Sequence, residues 1–323
     1  HIVLDEWSVN LMMDELTHAY KQRMSGAAPK WKELPNPFNE FARKQRESGT
    51  NQVNLNYWKN ILEGVPWAKP IFPEDHYLAG MPDETGVASG GWVEIKLEQD
   101  VIEGLYALAK SVNASLFNVV YASITSALHF LGAPKNLVVG TPASGRLDAE
   151  YFDTIGYFTT IVAHLVKFGE VDTVAELIEQ VKNSINESMP HTDIPLGLVQ
   201  QELDLEVPEG GGFMFEVFIQ LHAKNKFNGA LELPNGDRLD FQQVDPDKSE
   251  SGLGLQFEVL EEVVNGEQVL RVMMSYMSKN YSPAQVKLLS DTTSALFAEF
   301  AKSAKGDQLL EDIKGRVIDS ETV

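Results

Sequence analysis

The sequence predicts an α/β (α+β) fold. From Trp92 onward, short runs with strand-like alternation interleave with longer runs at helical spacing, a pattern that favours mixed layers over a helical bundle or a β-sandwich. Asn265-Gly266 sits between two strand-like runs and supplies the positive φ angles that a tight hairpin demands. About 43% of the 323 residues are apolar and 23% charged, the balance of a globular chain with a sizeable core.

Taken in order, Ser8 is expected to cap a helix running to about Met24. Val9, Met12, Met13, Leu16 and Tyr20 recur there at helical spacing, and Gly26 ends it. Pro29, Pro35 and Pro37 make residues 27–37 a linker or crossover, and a polar stretch leads from them to a second helix around Leu55 to Leu62. Pro66 to Gly91 reads as loop, and Trp92 to Leu97 as a strand opening a new unit. Helices are predicted at 98–111, 115–131, 172–188 and 282–302, the third with a capping box from Thr173 to Glu176. Strands are predicted at 136–141, 156–167, 213–222, 253–262 and 268–277. No repeat or low-complexity tract interrupts them.

The composition excludes several classes. With 26 Lys and Arg against 47 Asp and Glu, the formal charge is −21, which disfavours nucleic acid and anionic membrane surfaces as partners. Without cysteine, disulfides, thiolate metal sites and a cysteine nucleophile are impossible. The apolar run from Leu116 to Leu131 is broken by Asn118, Ser123, Thr125, Ser126 and His129, so it falls short of the roughly 20 apolar residues of a membrane span and reads as a core helix. A cytoplasmic setting is compatible with these features. The chain opens at His1 with no initiator Met or signal-like run, and is expected to be a fragment whose start has been cut away.

His1 and Asp5 flank an apolar Ile-Val-Leu run and precede Glu6-Trp7-Ser8. On spacing alone two readings stand: a proton-handling imidazole at a strand-to-helix turn, or a histidine held by a carbonyl beside an aspartate paired with an arginine. No pair of histidines at i,i+4 with a third ligand appears, so no metal site is expected. Gly210-Gly211-Gly212 lacks the Lys-Ser/Thr of a phosphate loop, and Ser144 lacks a hydrolase elbow; both read as turns. His18 reads as a surface residue and His129 as a satisfied core or groove residue. The acidic stretch from Glu202 to Glu209 reads as a solvated loop.

His1-x-x-x-Asp5-x-Trp7-Ser8 resembles the second half of the His-His-x-x-x-Asp-Gly-x-Ser signature of condensation domains in nonribosomal peptide synthetases. Further segments follow in the family's order. Asn36 to Ala42 resembles its Tyr-x-Asp-Phe-Ala-x-Trp segment, and Tyr57-Trp58-Lys59 its Tyr-Trp helix. Gly140-Thr141-Pro142 with Gly145-Arg146 resembles its Gly-x-Pro-x-x-x-Arg loop, Ile155 to Thr160 its Ile-Gly-x-Phe-Val-Asn-Thr strand, and His191 to Leu196 its His-Gln-Asp-Val-Pro-Phe.

The resemblance implies a chloramphenicol acetyltransferase-like two-lobed V. Residues 1–50 would be the C-terminal remnant of the N-lobe, which is otherwise largely missing from the chain, and 51–323 the C-lobe. Ile2, Leu4, Met12 and Leu16 are then expected to pack against protein outside the chain. It further implies an acyltransferase that joins a peptidyl thioester to an aminoacyl amine, with His1 catalytic and Asp5 and Arg146 structural at the active site. Glu6, Trp7, Ser8, Thr159, Thr160, His191 and Asp193 are its tunnel or pocket candidates, with a loop-ordering role the alternative for His191 and Asp193. The implied partners are carrier proteins, which supply the phosphopantetheine arm, and neighbouring synthetase domains; no cofactor is expected on this chain. Glu6 stands where the pattern has Gly, and Thr159-Thr160-Ile161 where it has Val-Asn-Thr. The Phe-Thr-Thr form is similar to epimerization domains and to noncatalytic relatives that recruit a haem oxygenase, so the alternative function is a carrier-docking, oxygenase-recruiting module or an epimerization-type relative.

Overall fold

The computed structural model describes residues 3–88, 91–223, 228–244 and 251–319. Helix α1 spans Glu6–Met24, and its cap is Asp5: Asp5 Oδ1 accepts the Ser8 N–H at 2.9 Å. This corrects the expectation for Ser8, which lies inside the first turn. Ser8 is the one buried residue of α1, while Met12, Leu16, Tyr20 and Met24 are exposed and Leu4 is half-buried. Ile2 lies outside the described residues.

A second helix, α2 (Phe38–Ser48), occupies the stretch expected to be irregular. Phe38 and Phe41 on one side of it are half-buried against Phe158, and no residue of the helix is fully buried. Asn51 caps α3 (Gln52–Leu62), which buries Leu55, Trp58 and Leu62 on one side.

The remaining elements run β1 (Trp92–Ile95), α4 (Gln99–Ser111), α5 (Leu116–Phe130), β2 (Asn136–Ala143), β3 (Thr160–Lys167), α6 (Val174–Ser188), α7 (Leu196–Glu202), β4 (Val217–Ala223), β5 (Gly229–Glu232), β6 (Arg238–Phe241), β7 (Leu255–Val264), β8 (Glu267–Ser275), α8 (Pro283–Lys302) and α9 (Leu310–Val317). Capping boxes start α5, α6 and α8, with Thr173 and Glu176 forming that of α6. Asn265 and Gly266, at φ 52° and 81°, close the β7–β8 hairpin.

Six strands form a mixed sheet in the order β1-β8-β7-β4-β2-β3. The two central pairings, β7 with β4 and β4 with β2, are parallel, and the others are antiparallel. On one face α4, α5, α6 and α8 bury Val139, Val217, Phe257, Val259 and Val272 in the larger core. The polar residues that interrupt α5 bond back along the helix, as Ser123 Oγ to the Val119 carbonyl at 2.8 Å and Ser126 Oγ to Ala122 at 2.7 Å, so the helix stays buried on all sides.

The opposite face divides in two. Over β2, β3 and the start of β4, Val138, Leu165 and Phe218 pack against Trp58 of α3 and Val199 of α7. Toward β8 and β1 the same face becomes polar. Gln220, Glu258, Met273 and Glu94 lie side by side across four strands, and His222, Leu260 and Arg271 form the next row. Arg271 Nε donates to Glu94 at 2.9 Å.

Two predicted strands begin late for one physical reason. At 156–159 the Gly156 N–H goes to Ser8 Oγ and the Phe158 N–H to Asp5 Oδ2, so β3 starts at Thr160. At 213–216 the Met214 N–H goes to Gln200 Oε1 and its carbonyl accepts from Ala68, so β4 starts at Val217.

Candidate active site

The first turn of α1 is held by the β2–β3 connection. Asp5 and Arg146 form an ion pair at 3.0 Å with both side chains essentially excluded from solvent, the guanidinium at 0% and the carboxylate at 3% exposure. Arg146 Nη1 donates to the carbonyls of Tyr151 at 2.7 Å and Thr154 at 2.6 Å, and Nη2 also donates to Ser8 Oγ at 2.8 Å. The guanidinium lies 4.1 Å from the centroid of the Phe158 ring. Such a planar, permanently charged fork can bridge a carboxylate, a hydroxyl and two carbonyls together, which a lysine could not.

Asp5 is satisfied on both oxygens. Oδ1 takes the Ser8 N–H and Arg146, and Oδ2 takes the Phe158 N–H at 3.1 Å. Burial alone would raise its pKa, but the bonds from Ser8, Phe158 and Arg146 outweigh it and hold the carboxyl below its ordinary value. Asp5 is therefore a fixed anion suited to orienting a turn. Ser8 Oγ donates to the Gly156 carbonyl at 2.7 Å and accepts its N–H at 2.9 Å. Trp7 Nε1 donates to the Phe152 carbonyl at 2.8 Å. A side chain on Gly145, at φ +65°, would meet the Phe158 carbonyl at 1.8 Å, and one on Gly156 would meet the Phe38 ring at 2.2 Å. Both glycines are thus needed for this loop to close on the turn.

Glu6 points the other way. Its carboxylate meets His222 Nδ1 on β4 at 3.0 Å, and His222 Nε2 lies 3.4 Å from Glu258 on β7. Burial works against the imidazolium, but the hydrogen bonds and charges of Glu258 and Glu6 raise its pKa to about 9. At neutral pH the His222 imidazolium therefore bridges two carboxylates, one N–H directed at each.

The other predicted residues lie around this turn or away from it. His1 lies outside the described residues. Thr159 Oγ1 reaches Asp5 Oδ2 at 3.5 Å, and Thr160 Oγ1 donates to the Thr192 carbonyl at 3.0 Å. His191 stacks on Tyr57 with ring centroids 4.0 Å apart and bonds Asn54 through Nδ1 at 3.0 Å. Asp193 bonds the Asn54 amide through its carbonyl. His191 and Asp193 thus tie the loop before α7 to α3. His129 stacks on Phe168 and bonds the Ala133 carbonyl, and His18 bonds the Lys30 carbonyl against Trp31.

Sequence reasoning missed His222, Glu258 and a buried histidine, His164. The last sits between Thr141 Oγ1 at 3.2 Å and Ser188 Oγ at 2.8 Å, and burial lowers its pKa to about 4. The one available signal for His222 was its in-phase position with Gln220 on a strand otherwise apolar. A shallow cavity of about 190 Å³ is lined by Asp83, Thr85, Lys287 and Asp291 and by none of the site candidates. Among the described residues no cluster of three His, Asp or Glu side chains could hold a metal, and no helix is long and apolar enough to cross a membrane.

A central mixed sheet, with a helix entering from an Asp-capped turn that docks on an arginine-bearing loop, defines the class as chloramphenicol acetyltransferase-like. The chain belongs to the condensation-domain family, whose sequence model, described as Condensation domain, matches residues 1–313. Phosphinothricin tripeptide synthetase PhsB of Streptomyces viridochromogenes is 29% identical over 205 residues, 63% of this chain and 17% of that protein. The probable non-canonical nonribosomal peptide synthetase CymA of Salinispora arenicola is 25% identical over 315 residues, 95% of this chain and 4% of that protein. The chain thus spans less than a fifth of either relative.

The fold is shared by many solved structures. The first condensation domain of the calcium-dependent antibiotic synthetase, in complex with a substrate analogue, matches with a TM-score of 0.71 and 16% identity, covering 97% of this chain and 67% of that one. The complex of the X-domain and OxyB from teicoplanin biosynthesis matches with a TM-score of 0.70 and 20% identity, covering 97% and 67%.

Proposed function

We propose that this chain is the larger part of a condensation-type domain that forms an amide bond between two carrier-bound substrates. The single observation that carries this reading is the buried Asp5–Arg146 pair, which fixes the turn immediately after His1. In the reaction, the amine nitrogen of the acceptor attacks the thioester carbonyl of the donor. The C–N bond forms, the C–S bond breaks, and the sulfur leaves as the thiol of the carrier's phosphopantetheine arm. A neutral His1 imidazole takes the proton from the attacking amine, a contribution of roughly 10²–10⁴-fold. Alignment of the two tethered substrates contributes at least as much. Residues 1–50 belong, in this reading, to an N-lobe, and the exposed Met12, Leu16, Tyr20 and Met24 of α1 form the face it covers.

A second reading has its own support. Glu6 stands where the family pattern has glycine and is drawn onto the sheet by His222, which favours a noncatalytic module that docks a carrier protein and a haem oxygenase. Incubating two loaded carriers with the protein, extended by the proposed N-lobe, separates the readings. Product from the wild type and little from His1→Ala supports catalysis. Equal product from both eliminates His1 as a catalytic group, and no product from either, with tight oxygenase binding, supports the module.

A further inference from the structure

The first turn of α1 has two attachments of different kind. One is the β2–β3 connection, which binds Asp5, Trp7 and Ser8. The other runs through a single side chain, Glu6, to His222 on β4 and from there to Glu258 on β7. Past Ser8 no residue of α1 is buried in this chain, so little apolar packing backs up these polar contacts. All three members of the Glu6 cluster keep partial access to solvent, His222 at 18%, Glu258 at 26% and Glu6 at 32%, so the imidazole can exchange its proton without unfolding of the sheet.

We propose that Glu6, His222 and Glu258 form a proton-dependent clasp, in which His222 is a positioning residue that docks the first turn of α1 on the sheet and sets the placement of the adjoining Val3–Asp5 segment. The inference deepens the condensation reading and rests on it. With the imidazole protonated, both ring nitrogens donate, one to each carboxylate. Once the proton is lost, one nitrogen becomes an acceptor facing a carboxylate, and two anions approach the same ring. From α1 the ring faces Glu6, and from β7 it faces Glu258. In its own row β8 contributes Arg271, which Glu94 of β1 engages at 2.9 Å. Free imidazole titrates near 6.5 and the clasp holds its proton to about 9. Docking is therefore complete below about pH 6.5 and weakens as the pH rises through about 9.

The test is hydrogen exchange at the amides of Ser8 and Val9, which are bonded to Asp5, between pH 6 and 10, normalised to amides of α5, with no carriers or substrates present. Wild-type protein should lose about tenfold or more of its protection in the first turn across that range. His222→Lys, whose cation persists above pH 10, should keep protection and flatten the profile; Glu6→Gln should lower protection at every pH. Protection in the wild type that does not change with pH overturns the clasp, as does a Glu6→Gln protein with unaltered protection. Because this readout needs no turnover, a failed condensation assay leaves it standing, and an absent pH profile leaves the assay of His1 intact.

Discussion

Arg146 and His222 hold opposite sides of the same helical turn, and they do so by different physics. Arg146 is sealed from solvent and meets a carboxylate, a hydroxyl and backbone carbonyls together. His222 is partly open and keeps its charge only because two carboxylates raise its pKa. A permanent fixture and a titratable one are thereby placed within one turn. The comparison teaches that a guanidinium makes a contact indifferent to pH, while an imidazole makes one that depends on the carboxylates beside it.

The sharpest way to break this comparison is to remove the permanent partner. Arg146→Met leaves Asp5 buried and unpaired, which should lower stability by about 3–5 kcal/mol. The effect should appear as a fall of roughly 10 °C in the melting temperature. A loss under 1 kcal/mol would mean that the turn is held elsewhere.

A smaller effect tests the sign of titration. His164 is buried in its neutral form with a pKa near 4, below the value of about 6.5 for a free imidazole, so its contribution is complete above pH 6.5 and lost as the pH falls toward 4. The loss should be on the order of 3 kcal/mol. The urea midpoint of the wild type should fall across that window, and His164→Gln should flatten the fall. His222 should act with the opposite sign on the alkaline side.

Smallest of the three, Gly156→Ala drives a methyl into the Phe38 ring and should cost about 1–3 kcal/mol. Its cost should shrink when Phe38 is truncated to leucine. If the two substitutions add independently, the loop is not packed on Phe38 as described.

Much of this architecture was legible because periodicity reports burial. The helices that became α4, α5, α6 and α8, and the hairpin at Asn265-Gly266, carry apolar faces or turn residues whose physics is local. Where the sequence misled, the deciding partner was distant. Ser8 has the chemistry of a cap, but Arg146 and Gly156 hold its hydroxyl while Asp5 caps the helix. Residues 156–159 alternate as a strand does, yet α1 takes up their backbone donors. Helix α2 is short and otherwise polar, and the Phe158 ring that its Phe38 and Phe41 pack on is distant in sequence. At the site, Asp5 and Arg146 were visible through motif resemblance, whereas His222 and Glu258 become partners only when β4 and β7 pair in parallel, a register that no local signal encodes.

The Asp5–Arg146 pair, as proposed, holds the turn that presents His1 to two tethered substrates. The most direct test of this role is the single-turnover rate of amide formation for Asp5→Asn, measured well below that variant's melting temperature, with carrier affinity measured in parallel. A rate lowered by at least about tenfold with carrier affinity unchanged is expected, because the uncharged amide forms no ion pair with the guanidinium and its single oxygen cannot accept both the Ser8 and the Phe158 N–H groups. A folded Asp5→Asn protein that transfers at the wild-type rate would contradict it.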